Sequence, residues 1–359
     1  MEFGISLSGI TNITAKVSAV VITFGLASCS GGSNNGGGSV SLVGAGASFP
    51  SPIYQRWFQE LGNTDLNIQV DYQSVGSGAG VERFTQELVD FGASDVAMKD
   101  DEIAKVGRGV ILLPMTAGSV VLAYNLPDIS GLKLSRKVYV DILLGKITNW
   151  NDPKIAEINP DLTLPDQAIT VVYRSDGSGT TGVFTQHLSA ISPEWKEKVG
   201  EGKTVQWLTG IGGAKNDGVT AQIKQTEGTI GYVEYGYAKS AGLSMASLEN
   251  QAGKYIEPAP ESAAATLAAV TLPENLRAFI TDPEGEDSYP IVTYTWMLVY
   301  GSYDDADKAT GIEKMIEYGL NEGQQVSSEL GYIPLPENVR QKVLEAADKI
   351  SPDYTMTLK

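Results

Sequence analysis

Three times in this chain an apolar, strand-like run enters a turn of small residues and leaves it as an amphipathic helix. That recurrence restricts the fold more than any other feature. Val40 to Val43 runs into Gly44-Ala45-Gly46-Ala47-Ser48-Phe49-Pro50, and then Ile53, Trp57 and Leu61 share one helical face. Leu66 to Tyr72, with Leu66, Ile68 and Val70 alternating, runs into Gly76-Ser77-Gly78-Ala79-Gly80, and Val81, Phe84 and Leu88 mark the next helix. A further strand, Val89 to Ala93, ends at Ser94-Asp95. Ile169 to Tyr173 runs into Arg174-Ser175-Asp176-Gly177-Ser178-Gly179-Thr180, after which Val183, Phe184, His187, Leu188 and Ile191 recur at helical spacing. Strand, Gly/Ser turn, helix, strand is the pattern of a parallel α/β sheet, whose ligands sit beyond the carboxyl ends of the strands.

A turn of this kind brings small hydroxyls and the free N–H groups of a helix start to one place, and the helix dipole adds to their attraction for an anion. The turn after Tyr173 also carries a guanidinium. The plainer reading of the same residues is that Ser175 or Asp176 caps the helix. The turns are not nucleotide motifs. Phe49 stands where a dinucleotide fingerprint needs its third glycine, and no Gly-Lys-Ser/Thr occurs. The nucleophile elbow of serine hydrolases is missing too, because Val75 and Asp176 occupy the positions two before Ser77 and Ser178.

At 359 residues the chain has room for two domains, and 42% hydrophobic residues with 40 glycines suit a globular α/β protein rich in turns. A formal charge of −17 argues against a nucleic-acid partner and places any anion site in a local cage that works against the protein's own field. A single cysteine and a single histidine exclude intramolecular disulfides and Cys-rich or multi-His metal sites. No metal or other cofactor is expected.

Residues 1–28 have the form of a targeting segment. Val17 to Ala27 is an apolar run of signal-peptide length, too short to span a bilayer comfortably. Lys16 is the only basic residue before it. The run ends in Leu26-Ala27-Ser28-Cys29, which resembles the lipobox of bacterial lipoproteins, and that resemblance makes Cys29 the lipidated residue. Several acyl chains would anchor stably where one would be marginal. Residues 29–39 are then a tether, whose ten Gly/Ser/Asn-rich residues from Ser30 to Ser39 have a mean reach of about 16–19 Å.

Two long apolar stretches, Val110 to Asn125 and Tyr289 to Tyr300, bracket a second α/β-like block. That block holds a helix around Val138 to Leu144, the Arg174 turn, Gly212-Gly213-Ala214-Lys215-Asn216-Asp217-Gly218 before another helix, and Ile230 to Tyr235 as a strand. Two crossings around an inserted block predict two lobes. We assign residues 40–120 with 295–359 to lobe I and residues 121–294 to lobe II. The C-terminal helical run, with Ile312, Met315, Ile316 and Leu320 and later Val339, Val343 and Leu344, returns to lobe I and is broken by Pro334 and Pro336.

These residues resemble the phosphate-binding protein of the bacterial high-affinity phosphate ABC importer. The resemblance runs from Val40 to the C-terminal helices. Its markers are the turns at 44–50 and 76–78, Phe91-Gly92-Ala93-Ser94-Asp95, the turn at 174–180, and Gly228-Thr229-Ile230-Gly231-Tyr232-Val233-Glu234-Tyr235. It implies a two-lobed type II periplasmic-binding-protein fold with two hinge crossings that closes on its ligand. It implies phosphate contacts at Ser48, Phe49 (through its backbone N–H), Ser77 and Asp95 from one lobe, and at Arg174, Asp176, Ser178, Gly179 and Thr180 from the other. It also implies the importer's permease subunits as partners and a periplasmic or cell-surface, lipid-anchored location. Ser48 departs from the threonine of the best-known members but keeps the hydroxyl. Gly78 replaces a second serine seen in some.

The chemistry agrees with the resemblance. Arg174 offers a planar fork suited to phosphate, and Asp176 is placed to pair with it and fix that fork. Asp95 is an odd choice beside an anion, because it repels the ligand. It makes sense as the acceptor for a proton on the ligand, and phosphate keeps one near neutral pH where sulfate has none. A buried acceptor facing a proton-free oxygen is costly, and sites of this kind reject the analogue by ~10⁴–10⁵. The alternative for Asp95 is to cap the helix beginning near Lys99. A serine-type phosphate-ester hydrolase would need His187 as its base, yet His187 lies on the apolar face of its helix. A receptor for another tetraoxyanion such as molybdate, and a surface lipoprotein with a sensing or adhesive role, remain open on sequence grounds.

Overall fold

The computed structural model describes residues 39–359. The leader, Cys29 and the tether through residue 38 lie outside the described residues. The strands in chain order are β1 (Val40–Gly46), β2 (Ile68–Ser74), β3 (Phe91–Ser94), β4 (Val110–Tyr124), β5 (Lys133–Leu134), β6 (Thr170–Arg174), β7 (Ile211–Gly213), β8 (Thr229–Glu234), β9 (Ser244–Met245), β10 (Ser247–Glu249), β11 (Tyr255–Ile256) and β12 (Val292–Tyr300).

Nine of them form one sheet in the order β2-β1-β3-β12-β4-β8-β6-β7, with β9 alongside β4. The pairs β1/β2, β1/β3, β6/β8 and β6/β7 are parallel, as the strand–turn–helix pattern predicts. The remaining three strands make a small sheet, β11-β10-β5.

β4 is the element that both arms of the sheet share. Its first ten residues, Val110 to Ser119, pair antiparallel with β12, and Val120 to Tyr124 pair antiparallel with β8. The strand can change partners midway because it is apolar and buried nearly throughout, as a strand covered on both faces must be. The ladder slips in register between Thr295 and Trp296, opposite Pro114 and Thr116. Pro114 has no N–H to give to the ladder, so an irregularity falls there.

Helices flank the arms as the apolar spacing requires. Ser51–Gly62 buries Ile53, Trp57 and Leu61, and Gly179–Ile191 buries Val183, Phe184, His187 and Leu188. The C-terminal helix Ala306–Leu320 lies against β1, with Gly311 beside Val40. The segment between this helix and Glu337–Ala347 is not simply a break. Ile333 donates its N–H to Ala117 O (2.8 Å), so the stretch around Pro334 lies along β4, and Pro336 then stands at the cap of the last helix.

Several boundaries differ from the sequence reading. The first strand runs on through Gly46, so Gly44 to Gly46 are strand rather than turn, and the second helix ends at Thr85, which leaves Leu88 outside it and exposed. The second strand begins at Ile68 rather than Leu66, and the third at Phe91 rather than Val89. Asp90 turns its Oδ2 back to accept the Val43 N–H (2.8 Å), which ends the helix-to-strand turn there. Gly212 and Gly213 pair with Tyr173 and Arg174, so they belong to strand β7 rather than to the turn ahead of the next helix.

Candidate functional site

The turns that follow β1, β2, β3 and β6 meet where the two arms of the sheet face each other. A fourth helix start, that of Lys215–Gln225, joins them. The fit is close at two glycines. A Cβ on Gly179 would stand 2.3 Å from Ser77 Oγ and 2.8 Å from Asp95 Cβ, and one on Gly76, whose φ is +90°, would stand 2.4 Å from Asp176 Oδ2. Gly78 donates its N–H to Gly177 O (2.8 Å), joining the two arms through main chain alone.

Asp95 lies at the centre and is 2% exposed. Oδ1 accepts the Thr295 hydroxyl (3.0 Å) and Oδ2 accepts the Thr180 hydroxyl (3.3 Å), while the Asp95 N–H donates to Ser77 Oγ (3.3 Å). Burial pushes its carboxyl up to about 7 against the pull of Thr295, Arg174 and Thr180. Asp95 therefore does not cap the helix near Lys99, whose first turn is closed by Glu102 Oε2 accepting the Lys99 N–H (2.9 Å).

Arg174, also buried, is held from two sides. Nε and Nη2 donate to Asp176 Oδ1 and Oδ2 at 2.8 and 2.6 Å, a bidentate pair, and Nη1 donates to Thr180 Oγ1 at 3.2 Å. Asp176 takes the Lys215 N–H as well (2.9 Å). Burial alone would raise the Asp176 carboxyl, but the guanidinium and these N–H groups hold it below the usual carboxylate range. It is thus an ionised partner that fixes the fork; it does not cap the helix Gly179–Ile191, and its bond to the Lys215 N–H closes the start of a different helix. The cap of Gly179–Ile191 is Ser178, whose Oγ accepts the Thr181 N–H (3.0 Å). This leaves the N–H groups of Gly179 and Thr180, in the first turn of the helix, with no carbonyl one turn back to receive them.

Ser48 is buried, and its Oγ accepts two donors from one residue, Asn216 N (3.1 Å) and Asn216 Nδ2 (3.0 Å). Its carbonyl accepts the Tyr237 hydroxyl (2.7 Å). Phe49 packs its ring over Gly118, and its carbonyl accepts the Tyr332 hydroxyl (2.6 Å). Its N–H takes no protein acceptor among the described residues.

Ser48, Ser77, Asp95, Arg174, Asp176, Gly179 and Thr180 thus fall within one connected cluster. Ser178 borders it as a cap, and Phe49 borders it through the main chain. The Gly78 N–H is used between the two arms, where it donates to Gly177 O. The cluster also holds Asn216, Thr295, Tyr237 and Glu234, to which the sequence reading assigns no site role. Glu234 donates its N–H to Asn216 Oδ1 (3.0 Å), and its own carboxylate receives the Gly236 and Tyr237 N–H groups. Burial raises Glu234 to about 8. The glycine pair before Lys215-Asn216 was the available signal for Asn216. Nothing in the alternation of β12 marked Thr295.

His187 is buried in the helix Gly179–Ile191, with its Nε2 2.8 Å from the Tyr139 hydroxyl. Burial lowers it to about 3. About eight residues of helix, near 12 Å, separate it from the turn that carries Ser178. Among the described residues no group of three or more His, Cys, Asp or Glu is placed to hold a metal, and no helix is long and apolar enough to cross a membrane.

Comparison with known proteins agrees with this architecture. The model of a PBP superfamily domain matches residues 32–320. A phosphate-binding protein PstS of Pasteurella multocida is 43% identical over 307 residues, covering 84% of this chain and 88% of the relative. That of Methanocaldococcus jannaschii is 39% identical over 363 residues, covering 92% and 93%. Among solved structures, a high affinity periplasmic phosphate-binding protein (PfluDING) bound with phosphate superposes with a TM-score of 0.69 at 20% identity. A phosphate-binding protein from Stenotrophomonas maltophilia does so with 0.68 at 21%. Each covers 85% of this chain and 93% of its own. These likenesses carry the fold, which is the two-lobed type II architecture with two crossings between lobes. On its sequence and its fold together, the chain belongs to the PBP superfamily and, within it, to the family of PstS phosphate-binding proteins.

Proposed function

We propose that this chain binds inorganic phosphate outside the cytoplasmic membrane and delivers it to the permease subunits of a phosphate ABC importer. The observation that carries the reading is the pairing of one buried acceptor, Asp95, with a surround of donors: Ser48, Ser77, Thr180, the helix-start N–H groups and Arg174. Phe49, Asp176, Ser178 and Gly179 complete the set, with Asp176 acting through Arg174 and Ser178 through its cap. A phosphate oxygen that keeps its proton satisfies Asp95, whereas a sulfate oxygen leaves it facing a like charge. Selectivity for phosphate over sulfate follows. The relatives named above are phosphate-binding proteins, which supports the same ligand here.

In this reading residues 40–120 with 295–359 form lobe I and residues 121–294 form lobe II, hinged where β4 exchanges β12 for β8 at Ser119 and Val120. Cys29 carries the lipid anchor, and residues 29–39 tether the body to the membrane surface. The protein is a receptor and not an enzyme. The only histidine is neutral, bonded to Tyr139 and about eight residues along its helix from Ser178.

Calorimetric titration of the purified chain with phosphate, arsenate, sulfate and molybdate tests this. Phosphate is expected to bind at about micromolar or tighter, near −8 kcal/mol or beyond, and sulfate far more weakly. Equal affinity for sulfate, or no response to millimolar phosphate, overturns the reading, and preferential molybdate binding replaces the ligand. Measurable turnover of a chromogenic phosphate ester would restore the hydrolase.

A further inference from the structure

We infer that Asn216 is a positioning residue that aims the Ser48 hydroxyl proton at the bound anion. This inference rests on the phosphate-binding reading. A hydroxyl has two lone pairs and one proton. Here both lone pairs are occupied by N–H groups of one residue, the Asn216 main chain (3.1 Å) and its side-chain amide (3.0 Å). Ser48 Oγ is therefore unable to accept a third bond. Its proton has no protein acceptor among the described residues, and the side chain is 1% exposed. The remaining freedom of Ser48 is restricted as well, because the Tyr237 hydroxyl holds its carbonyl at 2.7 Å. What is left is a single outgoing O–H directed into the cluster.

The amide that does this is itself oriented. Asn216 Oδ1 accepts the Glu234 N–H (3.0 Å), which directs Nδ2 toward Ser48 and, at 3.4 Å, toward Thr180 Oγ1. Such orientation gives the site polarity. Ser48 is fixed as donor and Asp95 is left as the acceptor, so a protonated phosphate oxygen has one place to go. Ser48 follows β1 and Asn216 follows β7, strands in opposite arms of the sheet. The contact exists only while the arms are together, so Asn216 also opposes ligand escape.

The test is a double-mutant cycle on the full chain with inorganic phosphate, read by calorimetry and by stopped-flow release. Asn216→Ala is expected to weaken binding about tenfold or more in the wild-type background, mainly through faster release. In the Ser48→Ala background the same change is expected to cost less than about twofold, because the hydroxyl it orients is gone. Asn216→Asp covers the case in which Asn216→Ala fails to fold. It keeps an acceptor for the Glu234 N–H, but an Oδ in place of Nδ2 draws the Ser48 proton away from the anion. Its loss must then also shrink when Ser48 is alanine. Losses equal in both backgrounds, as a purely structural residue would give, overturn the assignment, as does no loss at all. A wild-type chain that ignores phosphate sinks the functional reading and this inference with it. Wild-type binding with additive losses sinks only the role of Asn216.

Discussion

The Thr295 hydroxyl, on β12, donates to Asp95 Oδ1 at 3.0 Å from a position 200 residues further along the chain. A threonine hydroxyl that donates to this oxygen occupies it and leaves Oδ2 as the side of the carboxylate that meets Thr180. It also favours the ionised form, which burial opposes. Thr295→Val keeps the shape and removes the donor. We expect it to push Asp95 above about 7 and to weaken phosphate binding at pH 7.5 by about 1.5 kcal/mol or more. An unchanged dissociation constant would mean that Asp95 does not depend on β12.

Asp95→Asn separates repulsion from recognition. The amide can still accept the proton of a phosphate oxygen, but it also has an N–H₂ to offer to a proton-free one. Sulfate is expected to gain much more than phosphate loses, so the ratio of the two affinities falls by several powers of ten from the ~10⁴–10⁵ range. Equal changes for both ions in calorimetry would reduce Asp95 to a structural acid.

The raised carboxyls also set a pH dependence for the ligand-free protein. Asp95 at about 7 and Glu234 at about 8 are above their ordinary values of 3.8 and 4.5. In those windows the native state holds more protons than the unfolded chain, so both groups make stability fall as pH rises from about 4 to 8. His187, lowered from 6.5 to about 3, acts in the opposite sense and makes stability rise with pH between those two values. Asp95→Asn removes the first contribution. Its melting temperature relative to wild type should therefore be higher at pH 8 than at pH 5. The same offset at both pH values would place the Asp95 carboxyl at its ordinary position.

Arg174 is the one guanidinium in the cluster, and Asp176 neutralises it. Charge alone therefore does not hold the anion, and the directed N–H groups must. Arg174→Ala is expected to cost at least about 1.5 kcal/mol of phosphate affinity, the low end for a bond to a charged group, and to leave Asp176 as an unpaired repeller. Added salt should change this loss little, since a buried pair is poorly screened. A variant with wild-type affinity in low-salt calorimetry would remove Arg174 from the site.

What the sequence made legible was local. The α/β class follows from strand–turn–helix recurrence, and Ser48, Ser77, Arg174 and Thr180 lie in Gly/Ser turns at helix starts, a setting that suits an anion or a mere cap until the family resemblance favours the anion. Asp95 stood out because a carboxylate ends a strand between such turns. Thr295 and Tyr237 did not, because a threonine in an alternating strand and a tyrosine in a short helix look like packing residues until the chain brings distant segments together. Asn216 lies 168 positions from the serine it binds. The contact of Gly78 is hidden in the sequence for a related reason. The Gly78 N–H is free in the isolated turn and finds Gly177 O only when the two arms meet.

Gly179 tests that meeting of arms directly. It opens the helix that carries Thr180, and a methyl group there would collide with Ser77 Oγ at 2.3 Å and with the Asp95 backbone nitrogen and Cβ at 2.8 Å each. Ser77 Oγ is the end of a short side chain and Asp95 N is main chain, so neither can move far without breaking the Asp95–Ser77 bond. Gly179 itself is helical and not among the residues with positive φ. Alanine is therefore tolerated by the local backbone and intrinsically favoured over glycine in a helix by up to about 1 kcal/mol. The collision exists only when the arms are together. Gly179→Ala should leave the ligand-free fold intact by circular dichroism while lowering phosphate affinity at least tenfold, and small-angle scattering with saturating phosphate should show a larger radius of gyration than for the wild-type chain. Wild-type affinity and compactness in this variant would mean that the two arms do not need to approach as closely as Gly179 and Ser77 do here.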